Sequence, residues 1–348
     1  MIQENSDPLV SIVILNYNAG NLLLDCIESI FKTRYDNFEV IVVDNASKDN
    51  SHKKCKEKFS KIHLIENKEN LGYCQGNNVG IKQAKGGFIV ILNPDTIVEP
   101  EWLHELLSAY NIFGEGLYQP KLLTSENHQV FNSAGNMIQI FGFGYSRGKG
   151  EIDAGQFDKP ETTGYSSGAC LFTSSTTLEK IGLFDPFLFA YHDDLDLGWR
   201  AAQLGVKSYY IPKSVVYHVE SFSFKWSPHK FFLLERNRHY CLLTHYSRTT
   251  FFKILPSLIL VEIAVFFFYL SKGLLKSKIR AYTDIIKNRK LLSVRYRELQ
   301  KKRKVDDKEI IKNFQSKIFV PNEVANYTTN KILNNFISML SRISRIVV

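Results

Sequence analysis

Apolar residues in the first part of the chain gather into short runs, with segments of helical spacing between them. Leu9–Leu15 (LVSIVIL), Phe38–Val43 (FEVIVV), Ile62–Ile65 and Phe88–Leu92 (FIVIL) are almost uninterrupted branched or aromatic stretches. Such runs mark strands buried on both faces. Between them, residues 20–32 place Leu23, Ile27 and Ile30 at intervals of three and four, Ser47–Phe59 and Cys74–Ala84 are helix-compatible, and Pro100 opens a helix through Tyr110, since proline suits a first helical turn. The βαβαβαβ order predicts an α/β domain with a parallel sheet and helices on both faces. Residues 112–165 lack a clear period and are expected to form hairpins and loops. A strand at Ala169–Thr173, a helix at Asp193–Leu204 closed by Gly205, and strands at Lys207–Ile211 and Val215–Val219 complete the domain.

The pattern then changes. Phe231–Tyr246 is helical and basic, and Phe251–Leu270 (FFKILPSLILVEIAVFFFYL) is a long apolar run. A bilayer span needs about 20 such residues, but Lys253, Pro256 and Glu262 fall inside this one. A helix that lies in the membrane interface or re-enters it fits better than a clean span. The alternative is a soluble helical tail that packs the segment on the first domain.

Charge divides the chain at the same place. Residues 1–224 hold 19 Lys and Arg against 27 Asp and Glu, a net −8, and residues 225–348 hold 25 against 8, a net +17. We therefore expect two parts, a soluble domain over 1–224 and a basic helical tail over 225–348 that meets an anionic surface. Nucleic acid is disfavoured as that partner, because the first part is acidic and the tail carries a long apolar helix. The five cysteines are scattered without a CxxC pair, and the first ten residues hold no basic n-region. Both features point to a reducing, cytoplasmic setting without a signal peptide.

Ligands on such sheets bind beyond the carboxyl ends of the strands, so chemistry is sought there. Asn16-Tyr17-Asn18 follows the first strand, and its amides can bond a base or ribose while Tyr17 stacks; a plain turn is the alternative. Asp44 follows the second strand and can accept from a ribose hydroxyl or base N–H, or cap the next helix. Gly72 and Gly76, in NLGYCQGNNVG, offer close backbone approach and helix-start N–H groups to a phosphate. There is neither G-x-G-x-x-G nor G-x-x-x-x-G-K-[ST], which excludes dehydrogenase and P-loop signatures. Asn93-Pro94-Asp95-Thr96 follows the fourth strand, where Asp95 would meet a diphosphate and its Mg²⁺ or Mn²⁺. Tyr191–Arg200 (YHDDLDLGWR) holds three carboxylates in four residues. Asp196 can pair with Arg200 on the helix surface, one aspartate can cap, and the remaining one is a general-base candidate. His218 ends an apolar strand and becomes a metal-ligand candidate only in the company of Asp95.

In succession, SIVILNYN, VVDNASKDN, NLGYCQGNNVGI, ILNPDT, SGACLF, GLFDPFLFAYHDDLDLGWRAAQLG and VVYH resemble the family 2 glycosyltransferases of GT-A fold, in particular their bacterial rhamnosyltransferase-like branch. The resemblance covers about residues 9–220. It implies that Asp44 and Asn78 serve the nucleotide, and that Asp95 is the last acid of a D-x-D metal motif whose first place is taken by Asn93. It further implies that Asp193-Asp194 stand for a Glu-Asp pair with Asp194 as catalytic base, and that His218 completes the metal shell. The activity implied is inverting transfer from a UDP- or dTDP-linked sugar, dTDP-rhamnose being among the donors implied by that branch, to a hydroxyl of a saccharide acceptor. That acceptor would be polyprenyl-linked, at the cytoplasmic face of the cell membrane, in cell-surface polysaccharide synthesis. A sugar-nucleotide nucleotidyltransferase would share the fold but carry a Gly-rich basic loop where NYNAGN stands. A non-catalytic membrane-bound scaffold would leave Asp193 and Asp194 as mere caps.

Overall fold

Two long apolar strands, β1 (Val10–Asn16) and β2 (Phe38–Asp44), lie side by side in parallel register, with Asn16 opposite Asp44 at their carboxyl ends. A computed structural model describes residues 7–219, 227–318 and 327–348 of the chain. Around this pair run α1 (Asn21–Ile30), α2 (Ser51–Lys58), β3 (His63–Glu66), α3 (Gly72–Ile81), β4 (Phe88–Leu92), β5 (Thr96–Val98) and α4 (Trp102–Phe113). Then come β6 (Gly116–Thr124), the short strands β7 (Phe131–Ser133), β8 (Asn136–Ile138), β9 (Gly144–Ser146) and β10 (Glu161–Thr163), β11 (Cys170–Ser174), α5 (Ser175–Ile181), α6 (Asp193–Gln203) and β12 (Lys207–His218). The main sheet runs β10-β12-β6-β11-β4-β1-β2-β3, with β5 and β7 attached at its side.

The expected parallel order holds for β1 to β4 and for β12 with β6, whereas β11 is antiparallel to both its neighbours. The chain reaches β11 through the short strands rather than a crossover helix, and only a parallel partner requires a crossover. The sheet is therefore mixed and mostly parallel, with helices on both faces. β6 falls where loops were expected. Its run, GLYQPKLLT, is buried almost throughout, but Gln119, Pro120 and Lys121 break the apolar pattern. Each is accommodated. Gln119 donates to Ser133 Oγ at 2.9 Å, Lys121 pairs with Asp153 and Asp158, and Pro120 stands where the register with β12 shifts, the kind of irregularity that tolerates proline. The two strands expected at 207–219 are one, bulged between Ile211 and Val215.

α3 meets the sheet through its glycines. A Cβ on Gly76 would lie 2.4 Å from Leu15 Cδ1, and one on Gly80 2.4 Å from Val13 Cγ1. Gly72, at φ +76°, sits under the Phe189 ring. Its N–H is taken by Asn70 Oδ1 at 2.9 Å, and that of Cys74 by the Phe189 carbonyl at 3.1 Å. Of the two glycines expected to cradle a phosphate, Gly76 thus serves close packing, while Gly72 borders the cleft.

The helices that follow are α7 (Pro228–His245), α8 (Arg248–Ser271), α9 (Leu275–Lys287), α10 (Arg289–Lys302), α11 (Asp307–Lys312) and α12 (Tyr327–Val347). Ser227 and Ser247 cap α7 and α8, accepting from the amides of Lys230 and Thr250, a common N-terminal device. The expected boundary at 224–225 lies outside the described residues. Packing does not break where charge does: one core joins Val13 and Ile41 of the sheet to Leu195 and Trp199 of α6, Tyr240 and Leu242 of α7, and Ile254 and Val261 of α8. Glu262, which argued against a membrane span, points into this protein contact. It bonds Arg238, Lys278 Nζ at 2.7 Å and Tyr282 Oη at 2.6 Å.

Candidate active site

The carboxyl ends of β1, β2 and β4, the β11 turn and the start of α6 surround one cleft of about 390 Å³. Tyr17, Asn93, Asp95, Asp193, Asp194 and His218 all line it, so residues spread over two hundred positions converge as expected. Tyr17 is 42% exposed at the cleft, as a stacking platform for a flat ring must be.

Three predicted residues do not line it. Asn16 is wholly buried, and its Nδ2 donates to Asp44 Oδ1 at 2.7 Å and reaches Ser51 Oγ at 2.9 Å. Asp44 is 2% exposed, accepts from the Ser47 amide at 2.9 Å and lies 3.2 Å from His52 Nδ1. These two brace the floor beneath Tyr17. Asn78 is spent at both ends: Nδ2 donates to the Phe184 carbonyl at 2.8 Å and Oδ1 accepts from the Phe184 amide at 3.1 Å. It ties α3 to the segment before α6 and does not line the cleft. Asn45, one position beyond Asp44, lines the cleft instead.

β5 pairs antiparallel with β12, with His218 opposite Thr96. That pairing sets His218 Nε2 3.4 Å from Asp95 Oδ1. His218 Nδ1 lies 3.1 Å from Asn132 Oδ1. A ring held from behind in this way is typical of a metal-ligating histidine. Asp95 is 7% exposed, and its Oδ1 is buried without a hydrogen-bond partner. An unpartnered buried carboxylate oxygen is costly unless something fills its place. A hard divalent cation between this oxygen and a donor diphosphate suits the ligand set. Among the described residues two other groups of ligand-bearing side chains converge, Asp196-Cys241-His245 and Glu235-His239-Glu262. Both already hold protein cations: Arg200 lies 2.8 Å from Asp196, and Arg238 and Lys278 bridge Glu235 to Glu262.

The general-base candidates sit at the start of α6. Phe189, Tyr191 and His192 have φ of 63°, 66° and 60°, a left-handed region that side chains enter at a cost of order 1–3 kcal/mol each. Strain on non-glycine residues gathers where a site fixes its backbone. Burial, then the neighbouring Asp194 charge, raises the Asp193 carboxyl well above the usual range. Burial pushes Asp194 up to about 6, against hydrogen bonds from the Gly168 and Leu195 amides that favour its charged form. Asp194 Oδ2 accepts from the Gly168 N–H at 3.2 Å and keeps part of its surface open to the cleft. Burial, then the Arg238 charge, lowers His192 to about 4, so its ring is neutral near pH 7. Asp196 is engaged elsewhere and is not a base candidate. The pair expected on the helix surface is buried, with Asp196 wholly so and Arg200 1% exposed, and Arg200 also donates to the carbonyls of Ile181, Gly182 and Leu183. The expected i,i+4 spacing is right, but α7 covers that face of α6. His245 reaches Asp196 Oδ1 at 3.1 Å.

Residues 11–180 match the model described as glycosyl transferase family 2. The chain carries a family 2 glycosyltransferase domain. Asp193, Asp194 and His218 lie beyond the matched residues. The chain is 36% identical over 101 residues to the glycosyltransferase GlyG of Streptococcus pneumoniae, an alignment that spans 28% of this chain and 34% of GlyG. It is 24% identical over 242 residues to the N-acetylglucosaminyl-diphospho-decaprenol L-rhamnosyltransferase of Mycobacterium tuberculosis, covering 62% of this chain and 77% of that one. Among solved structures, GalNAc-T7 with UDP, GalNAc and Mn²⁺ superposes at TM-score 0.60 and 16% identity over 73% of this chain and 52% of that one. The likeness establishes a GT-A fold.

Proposed function

We propose that this chain is an inverting glycosyltransferase, moving a sugar from a UDP- or dTDP-linked donor to a hydroxyl of a saccharide acceptor. The observation that carries the proposal is one cleft holding both a carboxylate raised to about 6, Asp194, and a buried carboxylate oxygen that receives no hydrogen bond, Asp95 Oδ1, beside His218. The first is matched to proton abstraction near neutral pH; the second faces where a diphosphate would lie.

In the proposed step the acceptor hydroxyl gives its proton to Asp194 as its oxygen attacks the anomeric carbon. The new C–O bond forms as the bond to the diphosphate breaks, and the nucleotide diphosphate leaves from the opposite face with the electron pair. The anomeric centre inverts, and no enzyme-linked intermediate is needed. Asp95 and His218 would hold Mg²⁺ or Mn²⁺, which when bound neutralises the leaving diphosphate. Tyr17 stacks the base, and Asn93 and Asn45 border the donor. Placing both substrates in one cleft supplies much of the acceleration. The decaprenol-linked acceptor named for the mycobacterial relative supports a polyprenyl-linked acceptor, met at the cytoplasmic face of the membrane during cell-surface polysaccharide synthesis.

The test is a screen of UDP- and dTDP-sugars by thermal shift with Mn²⁺, followed by turnover of the best donor. Asp194→Asn should keep donor affinity and lose at least about 10²-fold in turnover. Activity that survives in this variant but is lost in Asp193→Asn would move the base by one residue; survival in both would end the proposal.

A further inference from the structure

Residues 189–192, which lead into Asp193 and Asp194 at the start of α6, belong to no strand or helix, and side chains of α7 bond most of the carbonyls on this approach. Arg236 Nη2 donates to the carbonyls of Phe187 and Leu188 at 2.7 and 2.8 Å. Asn237 Nδ2 lies 2.9, 2.9 and 2.7 Å from the carbonyls of Leu188, Ala190 and Tyr191. Arg236 Nε donates to Asn237 Oδ1 at 2.9 Å, which fixes the amide so that its NH₂, not its oxygen, faces the run. Asn237 is wholly buried and Arg236 8% exposed. The next residue, Arg238, donates to the Phe141 carbonyl at 3.1 Å, and the adjoining Gly142 carbonyl lies 3.3 Å from His192 Nε2. Three consecutive side chains of α7 therefore grip both sides of the segment in which Phe189, Tyr191 and His192 have positive φ.

We propose that Arg236 and Asn237 are positioning residues, which hold the carbonyls of Phe187, Leu188, Ala190 and Tyr191 around the left-handed Phe189, Tyr191 and His192 and so aim the Asp194 carboxylate into the cleft. The physical need is specific. Buried carbonyls in irregular backbone require donors, and positive-φ residues persist only where their surroundings over-determine them. A neutral amide and a guanidinium can donate to several carbonyls at once; a carboxylate or an apolar side chain at 237 cannot. Nothing in the chain's apolar pattern marks Arg236 and Asn237, because their partners lie nearly fifty residues earlier.

The inference rests on Asp194 being the base, so the two are tested separately. Asn237→Asp keeps shape but replaces the donors with acceptors facing carbonyls. Arg236→Lys keeps charge but gives up the bond from Nε that orients Asn237. Each variant is compared with the wild-type full chain by thermal melting, by turnover of a UDP- or dTDP-sugar with Mn²⁺, and by NMR titration of ¹³Cγ-labelled aspartates. The Asp194 signal is assigned by its loss in Asp194→Asn. The expected result is a folded protein in which turnover falls by about 10²-fold, as for a misplaced catalytic group. Donor KM should hold, and the Asp194 titration should move away from its wild-type midpoint. If Asn237→Asp does not fold, Arg236→Lys carries the same expectation. A folded variant with wild-type turnover and an unmoved Asp194 titration overturns the clamp. An Asp194→Asn chain with full turnover overturns the base assignment instead.

Discussion

Asp194 is held in a setting that opposes its own ionisation, and this has consequences for stability as well as turnover. Its carboxyl is raised by burial to about 6, above the ordinary value near 3.9. The folded chain therefore binds more protons than the unfolded one between these values, and stability falls as pH rises through that window. Asp194→Asn removes the charge that burial penalises. We expect the variant to melt at a higher temperature than the wild type at pH 8 and at nearly the same temperature near pH 4, while being inactive at both. For the wild type, turnover should fall as pH drops through about 6. Because Asp193 and Asp194 interact, that midpoint belongs to the pair. Equal melting temperatures for the two proteins at pH 8 would contradict the buried-charge account. Asp95 and His218 make a separate prediction. A ligand that binds only the folded state raises its melting temperature, so Mn²⁺ with a nucleotide diphosphate should stabilise the wild type. Asp95→Ala should lose the Mn²⁺-dependent part; an undiminished Mn²⁺ shift in that variant rules the site out.

At the scale of elements, the buried strands β1, β2 and β4 and the helix α6 were legible because burial on both faces, or one amphipathic stripe, writes itself into local sequence. β6 was not legible, because its polar residues find partners made only by the fold: Ser133 for Gln119, and Asp153 and Asp158 for Lys121. The site divides in the same way. Tyr17, Asn93, Asp95, the Asp193-Asp194 pair and His218 stand at strand ends and a helix start, with Asp194 singled out of the pair only by the family resemblance, whereas the clamp residues Arg236 and Asn237 bond to a loop far away in sequence. The α3 glycines show how one motif serves two readings. Gly76 looked like room for a ligand and proved, like Gly80 one turn on, to be room for β1. Gly80→Val should therefore press into Val13 and Val43 and cost about 1–3 kcal/mol, as overpacking does. Chemical denaturation would measure it. A neutral result would mean that the α3–β1 contact is loose and that the glycine serves something else.

At the scale of the molecule, the remaining question is why an acidic catalytic half is joined to a basic, apolar one. α8 is apolar nearly all round, and its inward side, with Ile254, Leu258, Val261, Val265 and Tyr269, belongs to the core. Its other side leaves Phe252, Ile259, Leu260, Ile263, Phe266, Phe267 and Leu270 exposed. By length and composition this is the one helix among the described residues apolar enough to cross a membrane, though only 28% of its apolar window is buried. An exposed apolar stripe of this extent marks an interaction surface, and the Glu262 network on its inner side holds the helix to α7 and α9. The proposal is that α8 lies in the membrane interface with its outer face in lipid, steadied by the net +17 of residues 225–348. The two contributions separate, since only the electrostatic one is screened by salt. The chain should sediment with vesicles containing phosphatidylglycerol, and binding should weaken in 1 M salt without vanishing. Replacing Ile259, Ile263, Phe266 and Phe267 with serine should abolish the salt-resistant part while leaving donor turnover intact, because none of the four touches the cleft. Cutting the chain before α7 is the wrong version of this experiment: it would strip Tyr240, Cys241 and Leu242 from the core and Asn237 from the carbonyls it holds, so that chain should not fold. Salt-resistant binding by the four-serine variant, or a wild-type chain left in the supernatant, would reject the interfacial role of α8.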